Sequence, residues 1–517
     1  GGQGQAVGWT LIVPAGVETV TYRLTAQSGS FTDGEEFTLP VLPNRMLVTD
    51  TQPFWINGSR SGETKEFKLK ALTSLNSELP VQHERLTVEV TSNPGWYAFQ
   101  SLPYLMEYRY ECVEQLFSRL YANSLAAHII NSKPAFKQVI AEWQKNPPRN
   151  PLQSNEELRA VALENSPWLA EARSESARQA QLGILLDQNR LSLEQEQAFA
   201  KLAQLQAENG GFRWFGGMQP SLPMTLHILS GLGHLQKLGV NFSSDLQASI
   251  TDMQTKAIRY ADAEMEKWVE EQKKNKTNSI WYFSATQYLY ARSFYQDKPL
   301  DKALLAYLKQ RVAEDWLKQS LQGQAFSALA LHRFGDKVTP NGILKSLLER
   351  TRQSEELGTY WPDNVSGLQW YQTPIETQAY LIEAFDEIRQ DRALVDAMKR
   401  WLLRQKQTQS WSSTKATTEA VYALLLRGGD WLDTKMNTQV SLGGQSIESR
   451  VTKTEQITGY EKVTYVASEI KPDMGVIQIT KKGEGPAWGA LYWQHFEPLD
   501  RVMPGSAGLS VQKTLYI

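Results

Sequence analysis

Tyr110-Glu111-Cys112-Val113-Glu114-Gln115 holds the only cysteine of a 517-residue chain and opens onto an apolar stripe at helical spacing. In that stripe Leu116, Leu120, Leu125 and Ile129 are interleaved with Phe117 and Tyr121. A cysteine and a glutamine three apart at a helix entry can fold onto one face, because positions i and i+3 are neighbours there. The spacing permits an internal thioester, with the Cys112 sulfur acylated by the Gln115 side-chain carbonyl and ammonia lost. Such a bond stores an electrophile open to amines, hydroxyls and water. A thiolate leaves more easily than an amide nitrogen, and a helix N-terminus lowers a thiol pKa. Persistence of the bond requires burial, which keeps water out. The plainer reading of a lone cysteine is a small buried hydrophobe, and the tetrapeptide alone leaves both open. Glu114 reads as no more than a charge placed at a helix N-terminus.

The length exceeds one hydrophobic core and predicts roughly two to four domains. A net charge of -2 with interspersed signs gives no footprint for nucleic acid and no polybasic membrane patch. No apolar run approaches the length of a membrane span, and no signal-peptide pattern opens the chain. One cysteine excludes an intramolecular disulfide framework. Six scattered histidines without His-x-x-x-His or paired-cysteine spacing predict neither a metal site nor a cofactor. Ser412-Ser413-Thr414-Lys415 contains Ser-x-x-Lys, but the partner motifs of the β-lactamase pattern are missing. The charge run Glu270 to Lys276 reads as a solvated loop. The start at Gly1-Gly2-Gln3-Gly4 and the strand-like end at Ile517 suggest a piece of a longer protein.

Texture changes twice along the chain. Up to about residue 100, Trp9 to Val13, Thr19 to Ala26, Phe37 to Val41, Glu66 to Leu72 and Glu84 to Thr91 alternate as strands, with Asp33-Gly34 as a hairpin turn. From Tyr104 to Arg427 the periodicity is helical. After Asp433 strands return over Gln439 to Leu442, Thr464 to Ile470, Gly475 to Thr480 and Trp488 to Phe496, with a Gly443-Gly444 turn. Within the helical block an aromatic or glycine-rich loop repeatedly precedes a helix. Asn209 to Phe215 precedes Met224 to Leu238, Ile280 to Tyr282 precedes Ala285 to Phe294, Gln369 to Gln372 precedes Ile375 to Phe385, and Ser410 to Ser413 precedes Ala416 to Leu425. The pattern predicts stacked helical hairpins, in a solenoid or a closed α/α ring.

Together, Cys112-Val113-Glu114-Gln115 preceded by Tyr110, Gly210-Gly211-Phe212, Trp411-Ser412-Ser413-Thr414-Lys415-Ala416-Thr417 and Ala487-Trp488-Gly489-Ala490-Leu491-Tyr492 resemble the thioester region of the alpha-2-macroglobulin and complement superfamily, most closely its bacterial members. The resemblance implies a multidomain α + β fold, an α/α-toroid thioester domain inserted in a CUB-like β-sandwich. Residues 1–51 would end a macroglobulin-like β-domain, 52–102 and 432–501 would form the split sandwich, 103–431 the toroid, and 502–517 the start of a receptor-binding-like domain. It implies Cys112 and Gln115 as the cross-linked pair, and Tyr110, Trp214, Phe215 and Met218 as candidates for the shield over it.

Some complement-type members pass the acyl group to hydroxyls through a histidine after the Gly-Gly-Phe loop. Arg213 to Pro223 holds none, and the next, His227, lies in Thr225-Leu226-His227-Ile228-Leu229, which reads as a packed helix. Amines are therefore the expected nucleophiles. The implied function is a single-use trap in the bacterial cell envelope or periplasm, or outside the cell, not a turnover enzyme, with proteases captured through their lysines and the bait segment outside this piece. Two other readings stand beside it. One is an α/α-toroid enzyme, although no Asp-Asp-x-x-Asp or Asp-x-Asp-Asp occurs; the other is an adhesin that uses the same bond.

Overall fold

The computed structural model describes residues 7–13, 19–40, 45–56, 62–75, 81–91, 95–132, 141, 188–275, 282–354, 357–366, 373–405, 410–426, 438–451, 460–482 and 487–498. The strands are β1 (Thr19–Ser28), β2 (Phe31–Pro40), β3 (Arg45–Ile56), β4 (Glu63–Lys68), β5 (Gln82–Thr91), β6 (Arg352–Ser354), β7 (Gly358–Tyr360), β8 (Thr438–Leu442), β9 (Gln445–Ser446), β10 (Tyr460–Val466), β11 (Val476–Lys481) and β12 (Ala487–Pro498). The helices are α1 (Lys70–Thr73), α2 (Gly95–Met106), α3 (Val113–Ser132), α4 (Gln188–Gln204), α5 (Leu222–Lys237), α6 (Ser244–Asn275) and α7 (Tyr282–Arg292). They continue with α8 (Lys302–Asp315), α9 (Leu321–Arg333), α10 (Thr339–Glu349), α11 (Pro374–Ala384), α12 (Arg392–Arg404) and α13 (Thr414–Leu425).

Strands from both sides of the helical block share two antiparallel sheets, ordered β10-β5-β12-β3 and β4-β11-β8-β9. Alternation decides which face is buried, because successive side chains of a strand point to opposite faces. Leu86, Val88 and Val90 of β5 are buried, and Thr87 and Glu89 between them are not. Val88 lies opposite Leu491 of β12 on one side and Val463 of β10 on the other. Phe54, Leu86, Val88 and Trp493 of this sheet join Val440, Ile477 and Ile479 of the other in one apolar cluster. Pairing of β3 with β12 runs from Arg45 opposite Pro498 to Ile56 opposite Ala487.

The helical block has its own core. Along the chain, α3, α5, α7, α9, α11 and α13 each pack on the next, and α13 packs back on α3. The intervening helices lie against them: α4 on α3, α6 on α5 and α7, α8 on α7 and α9, α10 on α9, α12 on α11 and α13, and α2 on α13 and α3. Burial follows the same division. Every residue from Leu321 to Leu331 of α9, Ile375 to Ala384 of α11 and Thr414 to Leu425 of α13 is buried, as expected for helices covered all round.

Several expectations are corrected. Trp9 to Val13 is exposed and irregular, since no strand lies against it among the described residues. The first hairpin turns at Gly29-Ser30, where Gly29 takes φ +61°, the left-handed first position that a two-residue turn of this kind requires. Asp33 and Gly34 instead sit inside β2, opposite Ala26 and Thr25. Residues 70–72, expected in a strand, lie in α1, and 467–469, also expected in a strand, form a short 3-10 turn. Glu270, Glu271, Lys273 and Lys274 are exposed but belong to helix α6, with Lys273 Nζ 4.9 Å from the Tyr307 ring centroid. The β6-β7 hairpin inside the helical block was not expected. The loops at Ile280-Trp281 and Gln369 to Gln372, the domain start at Leu432 and the segment 502–517 lie outside the described residues.

Candidate functional site

Cys112 stands immediately before α3, and its carbonyl accepts the Leu116 amide at 3.0 Å, so it occupies the N-cap place. Gln115 is then the third helical residue. Its Oε1 accepts from the Cys112 backbone N at 3.1 Å, the reach-back half of a capping box. Where a serine or threonine oxygen would complete that box stands the Cys112 sulfur, whose ionised form the backbone amides of Gln115, Glu114 and Cys112 itself favour. The local rule that starts the helix therefore also brings the Gln115 side-chain carbonyl back over Cys112. Cys112 is buried, at 8% exposure. Burial, joined by the Glu114 charge, pushes the thiol pKa up although the helix amides pull it down. At this helix N-terminus desolvation wins, contrary to the lowered pKa that the sequence suggested.

The first amide of α3, Val113 N, donates to the carbonyl of Trp214 at 3.1 Å. That carbonyl is delivered by the Gly-Gly-Phe loop. Gly210 has φ +92°, and a Cβ there would lie 2.1 Å from the Lys256 carbonyl oxygen of α6, so only glycine fits. Phe212 is buried, and its N donates to Thr225 Oγ1 at 2.9 Å. Arg213 N donates to Leu205 O at 3.0 Å. The approach to Cys112 is pinned from the other side. Arg119 donates to Tyr108 O and to Glu111 Oε1, at 2.5 and 3.2 Å, and Lys201 of α4 reaches the same Glu111 oxygen.

Of the proposed shield, Trp214 is partly buried and packs against the helical core. Tyr110, Phe215 and Met218 are 71%, 55% and 50% exposed, so within this chain they cover nothing completely. His227 of α5 is buried, its ring edge-on to Phe117 at 5.7 Å and its Nδ1 3.9 Å from Glu419. Burial, then the charges of Lys415 and His234, hold its pKa well below the ordinary value. It is a neutral core histidine in this structure.

Glu114 is more than a first-turn charge. It is buried, with Oε1 accepting from Ser118 Oγ at 2.9 Å and Oε2 from Thr414 Oγ1 at 2.7 Å. Burial raises its pKa against those two bonds. The Trp-Ser-Ser-Thr run is thereby explained: Trp411 is buried and donates from Nε1 to Leu402 O at 2.7 Å, Ser413 caps α13 by accepting from Ala416 N, and Thr414 reaches Glu114. Ser412 is exposed, and Lys415 lies 3.9 Å from buried Glu376.

Deeper in the helical block lies a polar centre that the sequence did not signal. Glu383 Oε1 accepts from Lys237, Arg333 and Tyr422, and Oε2 accepts from Tyr290. Although burial opposes ionisation, Lys237 and Arg333 hold this carboxyl well below its usual range. Glu419 accepts from Tyr380 at 2.7 Å and is pushed up to about 8 by burial. Its carboxylates are scattered through the sequence, which left no motif to read. Among the described residues no group of His, Cys, Asp and Glu is arranged to hold a metal, and no helix is long and apolar enough to cross a membrane.

No protein-family model and no curated protein matches the chain. Solved structures do match it. All of those named here are bacterial alpha-2-macroglobulins. Native Escherichia coli alpha-2-macroglobulin from domain MG7 to the C-terminus is 12% identical at a TM-score of 0.44, with 92% of this chain and 62% of that chain covered. The native conformation of the E. coli protein is 13% identical at 0.43, covering 94% and 25%. Salmonella alpha-2-macroglobulin reacted with methylamine is 14% identical at 0.44, covering 92% and 26%. The chain thus spans less than two thirds of each, and similarity at this level assigns it no activity.

Proposed function

We propose that this chain is the thioester-bearing region of a bacterial alpha-2-macroglobulin-like protease inhibitor. In finer detail, the helical block is an α/α toroid inserted in a CUB-like sandwich, and the whole protein works in the cell envelope or periplasm. The observation that carries the proposal is the capping geometry, in which Gln115 Oε1 sits 3.1 Å from the buried Cys112 backbone. Bond formation joins Cys112 Sγ to Gln115 Cδ, and the amide nitrogen leaves as ammonia with the thiol proton. A lysine amine of a captured protease then bonds to that carbon, the carbon–sulfur bond breaks, and a proton from the amine returns to sulfur. The electrophile is consumed once, so this is capture and not turnover.

The neutral, packed state of His227 supports amine selectivity, because no other histidine follows the loop closely. Methylamine is expected to add far faster than glycerol, and comparable rates would contradict the amine preference. Capture is tested by incubating the full-length protein with an endopeptidase and mapping linked peptides after denaturation and reduction. A bond between a protease lysine and Gln115, absent from Cys112→Ser, is the expected result. Adducts that are lost on reduction, or that persist in Cys112→Ser, would refute the trap.

A further inference from the structure

The seam where α13 packs back on α3 is closed by hydroxyls, and it lies one turn from Cys112. Thr414 Oγ1 donates to Glu114 Oε2 at 2.7 Å, Ser118 Oγ donates to Glu114 Oε1 at 2.9 Å, and Thr418 Oγ1 lies 3.2 Å from Ser118 Oγ. All four residues are buried. Glu114 sits between Cys112 and Gln115 in the chain, so its side chain fixes the rotation of the first helical turn that carries both. It is also close enough for its charge to act on the Cys112 sulfur. The first and last helices of the cyclic packing path therefore meet through Glu114, one of the two residues between Cys112 and Gln115.

We propose that Thr414 is a positioning residue for the Cys112–Gln115 bond, acting through Glu114 to hold the α3 entry against α13; this rests on the thioester reading above. Without the Thr414 hydroxyl, one Glu114 oxygen is left buried without its donor, a state that costs more than the bond itself is worth. The first turn is then expected to shift until that oxygen meets water, which opens the route to hydrolysis. In that step a water oxygen bonds to Gln115 Cδ, the carbon–sulfur bond breaks, sulfur takes a proton, and position 115 becomes a carboxylate.

The test compares Thr414→Val, which keeps the shape, with Thr414→Ser, which keeps the hydroxyl, both in the full-length protein. The readouts are spontaneous thiol release at neutral pH, intact mass and melting temperature. Thr414→Val is expected to speed thiol release about tenfold or more, from the cost of one unsatisfied buried acceptor. Thr414→Ser is expected to stay within about twofold, by the same bond accounting, and both should melt cooperatively. Thr414→Val with unaltered thiol release, or Thr414→Ser as labile as Thr414→Val, overturns the role of Thr414 while leaving the thioester reading intact. An unaltered protein with no ammonia-deficient mass overturns both. If Thr414→Val fails to fold, Thr414→Ala is measured in its place and must show the same faster release.

Discussion

Gly210 shows how much of the site depends on single residues. Its φ of +92° and the 2.1 Å approach of a Cβ to the Lys256 carbonyl leave no room for alanine. Gly210→Ala is expected to cost about 2–4 kcal/mol through backbone strain and forced displacement of α6. A lowered melting temperature with faster thiol release would report both consequences, since the same loop brings Trp214 O to Val113 N. At this scale the meeting of Cys112 and Gln115 at the α3 entry was legible, because the i to i+3 spacing at a helix entry is itself a capping pattern. The thiol pKa was not, since its direction depends on burial that sequence does not display. Glu114 was seen but misread: its role rests on Thr414, 300 residues away.

At the scale of elements, the inner helices are held together by buried charge as well as by apolar packing. Glu383 of α11 receives Lys237 of α5, Tyr290 of α7, Arg333 of α9 and Tyr422 of α13. Glu383→Ala removes one of the two carboxylates that hold Arg333 and Lys237, Glu387 being the other, and is expected to cost about 3 kcal/mol, the low end for removal of one partner of a buried pair. Chemical denaturation of the variant measures it. Glu419 of α13 gives a pH signature. Its carboxyl is raised from 4.5 to about 8, with His227, His234, Tyr380, Lys415, Glu376 and Glu383 around it. The folded chain keeps a proton that the unfolded chain has released, so this contribution to stability is complete below pH 4.5 and is lost as pH rises through 8. His234, lowered to about 3 chiefly by burial, acts with opposite sign, its contribution present above 6.5 and lost as pH falls through 3. Glu419→Gln should therefore flatten the decline of melting temperature between pH 5 and 8; an unchanged slope would contradict the assignment. Neither group was readable in advance, since no spacing marks carboxylates that meet only in the folded core.

At the scale of the whole molecule, the two texture changes in the sequence correspond to real passages of the chain. It leaves the sheets after β5, runs through the helical block, and returns to them at β8 to pair beside the strands it left. Hydrophobic period alone was sufficient to show this, while the turn at Gly29-Ser30 and the helical charge run before Asn275 depended on local competition that period does not resolve. The two cores also touch: Trp488 of β12 packs on the helical cluster, and Arg400 of α12 lies 5.3 Å from the Trp55 ring of β3. The sheets and the helices are therefore joined through side chains as well as through the chain itself.

The most direct test of the central claim is the intact mass of freshly purified protein, taken with and without methylamine alongside thiol titration. The proposed bond predicts a mass short by one ammonia and no free thiol, then a gain of one methylamine and release of the Cys112 thiol. A thiol free from the start, with an unmodified glutamine at position 115, would contradict it.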